Sequence, residues 1–249
     1  MSDIMPESNT SESLRATVSS MLRGIDRYNP ENLVTLEKYL EVQTEENTYD
    51  LEANLAILKL YQFNPSYNKV SVVEKVLLKA LANMPHTDMV LCKCLMDMSL
   101  FDHSSIKAIL HLHDLLETCS FPDFWVSPSS LALLVPVMLD YCCSLRDEDF
   151  LAQIPAIKEV AEFEESIRKY VCHVINNTYQ NVDRKFLCQQ LGLRGPEERC
   201  LQYYMAEYGW KLSSDDYVFI ANQEESIKTK NITEKIDFEN VAPILASWR

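Results

Sequence analysis

The chain has 249 residues, of which 47% are hydrophobic and 24% charged, with only 4 glycines and a formal net charge of −14. That length and balance support a substantial core and exclude wholesale disorder, and so few glycines argue against a β-rich fold or a phosphate-loop enzyme. Residues 1–182 carry 26 acidic and 14 basic side chains, a balance of −12, whereas residues 183–249 carry 11 and 9, a balance of −2; the acidic part is thereby set against autonomous nucleic-acid binding.

The first residues, MSDIMPESNT, show no basic n-region and no apolar h-region, so no secretory signal is expected. No apolar run approaches the roughly 18 residues of a membrane span. The expectation is a soluble, intracellular chain with no membrane partner. Residues 1–12 read as a disordered tail. A helix is expected over 13–23, with Leu14, Val18, Met21 and Leu22 inward and Gly24 as its stop. Asn29, Pro30 and Glu31 form a start signal, with an N-cap, a proline at the first helical position and an acid in the first turn. Leu33, Leu36 and Leu40 line the helix that follows.

The stretch YDLEANLAILKLYQFNP at 49–65 is apolar on most sides. Leu51, Leu55 and Leu58 fall on one face, Ala53, Ile57 and Leu60 on another, and only a stripe around Glu52 and Lys59 is left for water. Asp50 and Glu52 suit its first turn, and Asn64-Pro65 ends it. It reads as an inner helix walled by its neighbours.

Ser71 to Glu74 has capping-box spacing and leads into Val73, Val76, Leu77, Ala80 and Leu81, with Met84-Pro85 as the stop. Thr87 or Asp88 starts the next helix, with Val90, Leu91, Cys94, Leu95 and Met98 inward. Ser104 or Ser105 starts another, carrying Ile106, Ile109, Leu110, His113 and Leu116. Helices of this length joined by short turns predict a degenerate array of the HEAT or tetratricopeptide kind, since no strict period repeats. The helical domain is placed at 13–156. Its last part is irregular: Phe124-Trp125 is expected to pack under a turn, and Pro136 to kink a helix over 129–144.

From Ile157 one long helix is expected to about Asn177, with Val160, Ile167, Val171, Val174 and Ile175 inward and a Glu164–Arg168 pair on its wet side. Asp183 then caps a short helix with Phe186, Leu187 and Leu191, ended by Gly192. Pro196 opens a helix with Cys200, Leu201, Tyr204, Met205 and Tyr208 inward, ended by Gly209. A β-rich run at 217–221, a polar turn at 222–225 and a returning strand at 226–231 complete a hairpin. This is the order of a winged helix, placed with its linking helix at 157–249. The fold class is therefore mainly α, a HEAT-like helical domain followed by a C-terminal winged helix with a small β-hairpin.

No chemistry stands out. The 8 cysteines show no C-x-x-C pair and read as small hydrophobes. Cys92 and Cys94, like His111 and His113, diverge on a helix and cannot share a metal. Cys172 and His173 diverge as well, and the acid pairs Glu45-Glu46, Glu164-Glu165 and Glu224-Glu225 suit a wet surface. No G-x-S-x-G, H-E-x-x-H or Gly-rich loop occurs. No catalytic residue, metal or cofactor is expected. The third helix of the winged helix, PEERCLQYYMAEYG, sets Arg199 against Glu197, Glu198 and Glu207, the wrong sign for a groove-reading helix. Lys228 and Lys230 are the only basic pair nearby. A winged-helix nucleic-acid binder stays as the alternative to a protein–protein scaffold.

Several stretches resemble one known family. They are GIDRYNPENL at 24–33, the stretch at 49–65, PHTDMVLCKCLMD at 85–97, DLLETC at 114–119, RKYVCHVINNTYQNVDR at 168–184 and QEESIKTKNITEKIDF at 223–238. Together they are similar to the k subunit family of eukaryotic translation initiation factor 3, over nearly the whole chain; at 126–156 this sequence looks longer. The resemblance implies a HEAT-like domain plus winged helix, related to the PCI modules of the proteasome lid and signalosome. It implies a non-catalytic subunit of a cytoplasmic complex that helps bring initiator tRNA and mRNA to the small ribosomal subunit. It further implies pairing with the l subunit and indirect contact with the small ribosomal subunit; a subunit of a sister PCI complex is the other alternative. Partner contacts are expected on the wing edge, at Ser226, Ile227, Lys228, Lys230 and Asn231, and on a last helix at Phe238, Val241, Ile244 and Leu245, where an unpaired edge adjoins an apolar stripe.

Overall fold

The computed structural model describes residues 8–125, 155–193, 198–213, 216–222, 241 and 246. Helix α1 (Ser8–Met21) ends before Gly24, and a 3-10 turn at Gly24–Tyr28 follows. Asn29 accepts from the Glu31 amide through its side chain, and the Pro30–Asn32 turn it caps runs directly into α2 (Leu33–Glu45). Proline, with its fixed φ and missing N–H, fits the first position of such a turn without loss.

Helix α3 (Leu51–Phe63) has Asp50 as its N-cap, the carboxylate accepting from the Ala53 amide at 3.1 Å. Ala53, Ala56, Ile57, Leu58 and Leu60 are buried and Glu52 is exposed, as the apolar pattern requires. Buried with them is a polar pair. The Gln43 amide nitrogen donates to Asn54 at 3.1 Å, the Asn54 amide returns a bond at 3.3 Å, and the Asp50 amide donates to Gln43 at 2.9 Å. Every donor brought inside thus finds an acceptor, which is what makes burial of two amides tolerable.

Helix α4 (Val70–Ala82) is the most enclosed, with Val73, Val76, Leu77, Leu78 and Leu81 fully buried. Its start corrects the capping-box expectation. The helix begins at Val70 with no side-chain cap, so Ser71 lies inside the first turn and Glu74 turns inward to accept from the Ser105 hydroxyl. Lys79 is buried too, its ammonium donating to Asn47 at 3.2 Å, and burial lowers its pKa.

Helix α5 (Asp88–Leu95) is rotated from the expected setting. Met89 and Cys92 are buried, whereas Val90 and Leu91 are each 45% exposed and Cys94 is exposed; Met98, just beyond, is also exposed. Eight residues, mostly apolar all round, leave the inward face to be chosen by neighbours rather than by period. Helix α6 (Ser104–Glu117) buries Ile106, Ile109, Leu112, His113 and Leu116. In space α4 touches α2 and α6, and α5 touches α3 and α4. Two rows result, α2–α4–α6 and α3–α5, the layered stacking of a helical repeat array.

After the short helix α7 (Phe121–Trp125), α8 (Pro155–Glu159) packs on α4. The single long helix expected from Ile157 is in fact broken. Glu162 takes a left-handed conformation (φ 54°), and the Ala161 amide donates to the Thr44 carbonyl of α2 at 3.0 Å. Asn47 adds a bond to Glu162 at 2.9 Å. A contact to the layer has replaced a helical turn. Helix α9 (Phe163–Thr178) then runs on with Ile167, Val171, Cys172 and Ile175 inward, and Arg168 pairs with Glu164 at 3.0 Å.

The end of the chain follows winged-helix order. Strand β1 (Asn181–Asp183), α10 (Arg184–Gln190), α11 (Glu198–Tyr208), β2 (Lys211–Leu212) and β3 (Tyr217–Phe219) come after α9. The sheet order is β1-β3-β2, antiparallel throughout, with Val182, Val218 and Leu212 in register. Asp183 caps α10 by accepting from Lys185 at 3.1 Å. Phe186 and Cys200, expected inward, are exposed.

Candidate interaction surfaces

The expected hairpin of 217–221 with 226–231 needs a correction. Strand β3 is central and already paired on both sides, by β1 and by β2, so the hairpin that forms the wing is β2–β3. Ser226, Ile227, Lys228, Lys230, Asn231, Phe238, Ile244 and Leu245 lie outside the described residues; Val241 is helical and half-buried. The expected helix over 129–144 and its Pro136 kink lie outside as well.

The described part carries an outward aromatic face. On β3, Val218 is buried while Tyr217 and Phe219, one residue to either side, are 50% and 38% exposed. Leu212 on the edge strand β2, opposite Val218 and so on the other side of the sheet from these aromatics, is 58% exposed, and Tyr203 on α11 is 57% exposed. The alternation is the period of a strand with one dry and one wet face, and the wet face sets the two aromatics beside Asn181, Asp183 and Lys211. Single exposed hydrophobes are ordinary, and two aromatics on one side of a three-stranded sheet are the kind of feature a contact surface uses. The alternation of Tyr217, Val218 and Phe219 was the available signal in the sequence. The other residues of α11 described as exposed, Cys200, Gln202, Ala206 and Glu207, offer no cation for phosphate.

Three aromatic anchors hold the winged helix, one to α7 of the layer and two to the linking helix α9. Trp125 donates through Nε1 to the Gln190 carbonyl at 2.9 Å, and the Arg168 guanidinium lies 5.0 Å above its ring. Gly192, at φ +65°, lies against that ring so closely that a Cβ there would meet it at 2.5 Å. The Tyr204 hydroxyl donates to Glu165 at 2.8 Å, which with burial raises the tyrosine's pKa. Trp210 reaches Asn176 at 3.4 Å. The sequence offered no pointer to the pairing of Trp125 with Gly192, which are far apart in the chain.

Chemistry-bearing groups elsewhere are engaged structurally. His113, Asp114 and Glu117 could bring three ligand atoms within 4.8 Å of one another. The Lys93 ammonium, however, lies 2.9 Å from His113 Nδ1 and 3.7 Å from Asp114, where a metal cation would have to sit. Burial and the neighbouring Lys93 charge hold His113 below the usual imidazole range, opposed more weakly by Glu117 and Asp114. Cys92 and Cys172 are buried, which pushes both thiols up to about 12 and leaves them inert. No described helix is long and apolar enough to cross a membrane.

A model of the CSN8/PSMD8/EIF3K family matches residues 67–150 and 152–231. Proteins named eukaryotic translation initiation factor 3 subunit K in Xenopus laevis and Homo sapiens are 49% and 47% identical over 237 and 236 residues. Each alignment covers 95% of this chain and 97% of the relative. The protein of that name in Anopheles gambiae is 45% identical over 230 residues, 92% of this chain and 93% of its own. A winged helix on a stacked helical layer, matched along both parts, shows that the chain belongs to the CSN8/PSMD8/EIF3K family.

Proposed function

We propose that this chain is a structural subunit of eukaryotic translation initiation factor 3, the counterpart of subunit K in its relatives. The observation that carries this is the 45–49% identity to proteins of that name along 92–95% of the chain. It works through protein–protein contacts and without a catalytic step, as part of an assembly that brings initiator tRNA and mRNA to the small ribosomal subunit in the cytoplasm. Its direct partner is subunit L, and its contact with the ribosome is indirect. Residues 13–156 form the helical scaffold and residues 157–249 the linking helix and winged helix. The partner-facing part is the wing together with residues 226–231 and 238–245 on its C-terminal side, beside the exposed aromatics Tyr217 and Phe219. The exposed Tyr217 and Phe219, and the edges of β1 and β2, which pair with no further strand among the described residues, support the reading, because an open edge accepts a strand and aromatic side chains accept apolar ones.

Affinity purification of the tagged full chain at moderate salt tests the reading. Initiation-factor subunits and small ribosomal subunits are expected in the eluate. Recovery of proteasome-lid or signalosome subunits instead, from the complexes its PCI-like architecture also resembles, would assign it to one of those assemblies. Cutting the chain after Asn222 is expected to abolish assembly while α2–α6 stay folded by circular dichroism; unchanged co-purification would move the partner surface elsewhere. Salt-dependent binding of RNA by the purified chain would favour the nucleic-acid alternative, against which the described surface of α11 speaks.

A further inference from the structure

Between the turn that follows α4 and the face of α9 lies a cavity of about 290 Å³. The turn contributes His86, and α9 contributes Ser166, Lys169 and His173, spaced three and four residues apart so that they share one face. Tyr170 lines it through its ring while its hydroxyl donates to the Leu116 carbonyl. Not one lining residue is acidic, in a chain where the first 182 residues have a balance of −12. The nearby carboxylates are committed elsewhere: Asp88 accepts from Tyr49 and Asn83, and Glu165 accepts from Tyr204. Among the described residues, the Lys169 ammonium, the His86 ring and the Ser166 hydroxyl have no hydrogen-bond or ion-pair partner. His173 meets Asn177 through Nε2 at 3.1 Å, which leaves Nδ1 to donate.

A lysine, two imidazoles and a hydroxyl from two separate elements therefore converge on one concavity with no anion to answer them. We propose that this cavity binds a phosphate monoester or phosphate dianion, carried by a phosphorylated side chain of another protein or free in solution. A dianion with three terminal oxygens matches several converging donors better than a single carboxylate does. The volume sits at the lower edge of small-molecule sites, which suits one phosphoryl group and its ester carbons rather than a nucleotide. One helix, α9, and the turn after α4 carry the donors, so their backbones are placed before the ligand arrives while the exposed side chains close on it. The proposal stands independently of the assembly to which the chain belongs.

The test is a nitrogen-15 imidazole NMR titration of the full chain with sodium phosphate and, separately, a phosphoserine hexapeptide, against sodium chloride at matched ionic strength. The His86 and His173 resonances are expected to shift saturably, and those of His103 and His111 to stay in place. Lys169→Gln, at an exposed position, is expected to weaken binding about tenfold or more, the worth of one charge-assisted hydrogen bond, with an unchanged unfolding midpoint; Lys169→Arg is expected to retain it. Tighter binding of the phosphopeptide than of inorganic phosphate would identify a partner's side chain as the source, and equal binding the free ion; either supports the site. Shifts reproduced by chloride alone, or phosphate binding that Lys169→Gln leaves unchanged, would overturn it.

Discussion

The helical layer and the winged helix are held together in different ways. In α2, α3, α4 and α6 the stabilisation is spread over a long series of leucines, isoleucines and valines, each with several apolar neighbours. Full burial of each is worth roughly 1.5–3 kcal/mol, and no one of them defines the arrangement. The winged helix has two- and three-residue strands and depends on a few large anchors, Trp125, Tyr204 and Trp210, each with its own polar partner. The layer keeps its aliphatics inside, and the small sheet turns two aromatics outward. The outward aromatics of the small sheet are thus mounted on a frame whose stability does not depend on them.

The contrast is most exposed to test where the layer is densest. Ile57→Ala in α3 removes a fully buried side chain and is expected to cost about 2–5 kcal/mol, seen as a lower urea midpoint with the slope unchanged. A cost below about 1 kcal/mol would mean that the layer repacks freely. Gly192→Ala tests the anchors. It combines a left-handed backbone, costing about 1–2 kcal/mol for a residue with a Cβ, with a collision against the Trp125 ring. In the double variant with Trp125→Ala the collision is gone, so the two effects are expected to depart from additivity by about 1 kcal/mol or more in thermal unfolding; strict additivity would dissolve the proposed seat.

Smaller effects are expected from the polar groups inside the layer. Gln43→Leu leaves the buried Asn54 amide and the Asp50 N–H without their acceptor and is expected to cost about 1–3 kcal/mol. Adding Asn54→Leu is expected to recover part of it, because the buried amide is then gone and only the Asp50 N–H stays without its acceptor. The smallest effect is electrostatic. Burial and Lys93, outweighing Glu117 and Asp114, keep the folded pKa of His113 low, while the unfolded chain takes up its proton near 6.5. Below about pH 6.5 the unfolded state binds more protons, so stability falls as pH falls toward the folded pKa. His113→Asn is expected to flatten the dependence of the unfolding midpoint over that window; an unchanged slope would assign the acid sensitivity to other groups.

Much of this architecture could be read from the residues alone. The Asn29-Pro30-Glu31 start, the apolar sides of α3 and the capped, glycine-ended α10 are local signals, and the structure follows them. The misreadings share a cause, a local pattern overruled by a distant partner. Glu74 had capping-box spacing from Ser71 but found Ser105 across the layer. The run from Ile157 carried no glycine to mark a break after Val160; the Thr44 carbonyl made one by taking the Ala161 amide. Strand β1, Asn181–Asp183, is too short and polar to announce itself and exists because β3 pairs with it. The cavity was least visible, since His86 and Lys169 stand apart in sequence and only the packing of α9 beside the α4 turn joins them.

The seat of Trp125 on Gly192 has a consequence for how this protein can change over generations. The indole fits because the residue beneath it has no side chain at all. Position 192 therefore cannot gain an atom unless position 125 gives up part of its ring, and a smaller ring at 125 leaves a void that only a larger residue at 192 would fill. The two sites are bound to vary as a pair, and a substitution at either alone passes through a loosened intermediate. Selection on the angle at which the winged helix is presented would be felt first at this glycine.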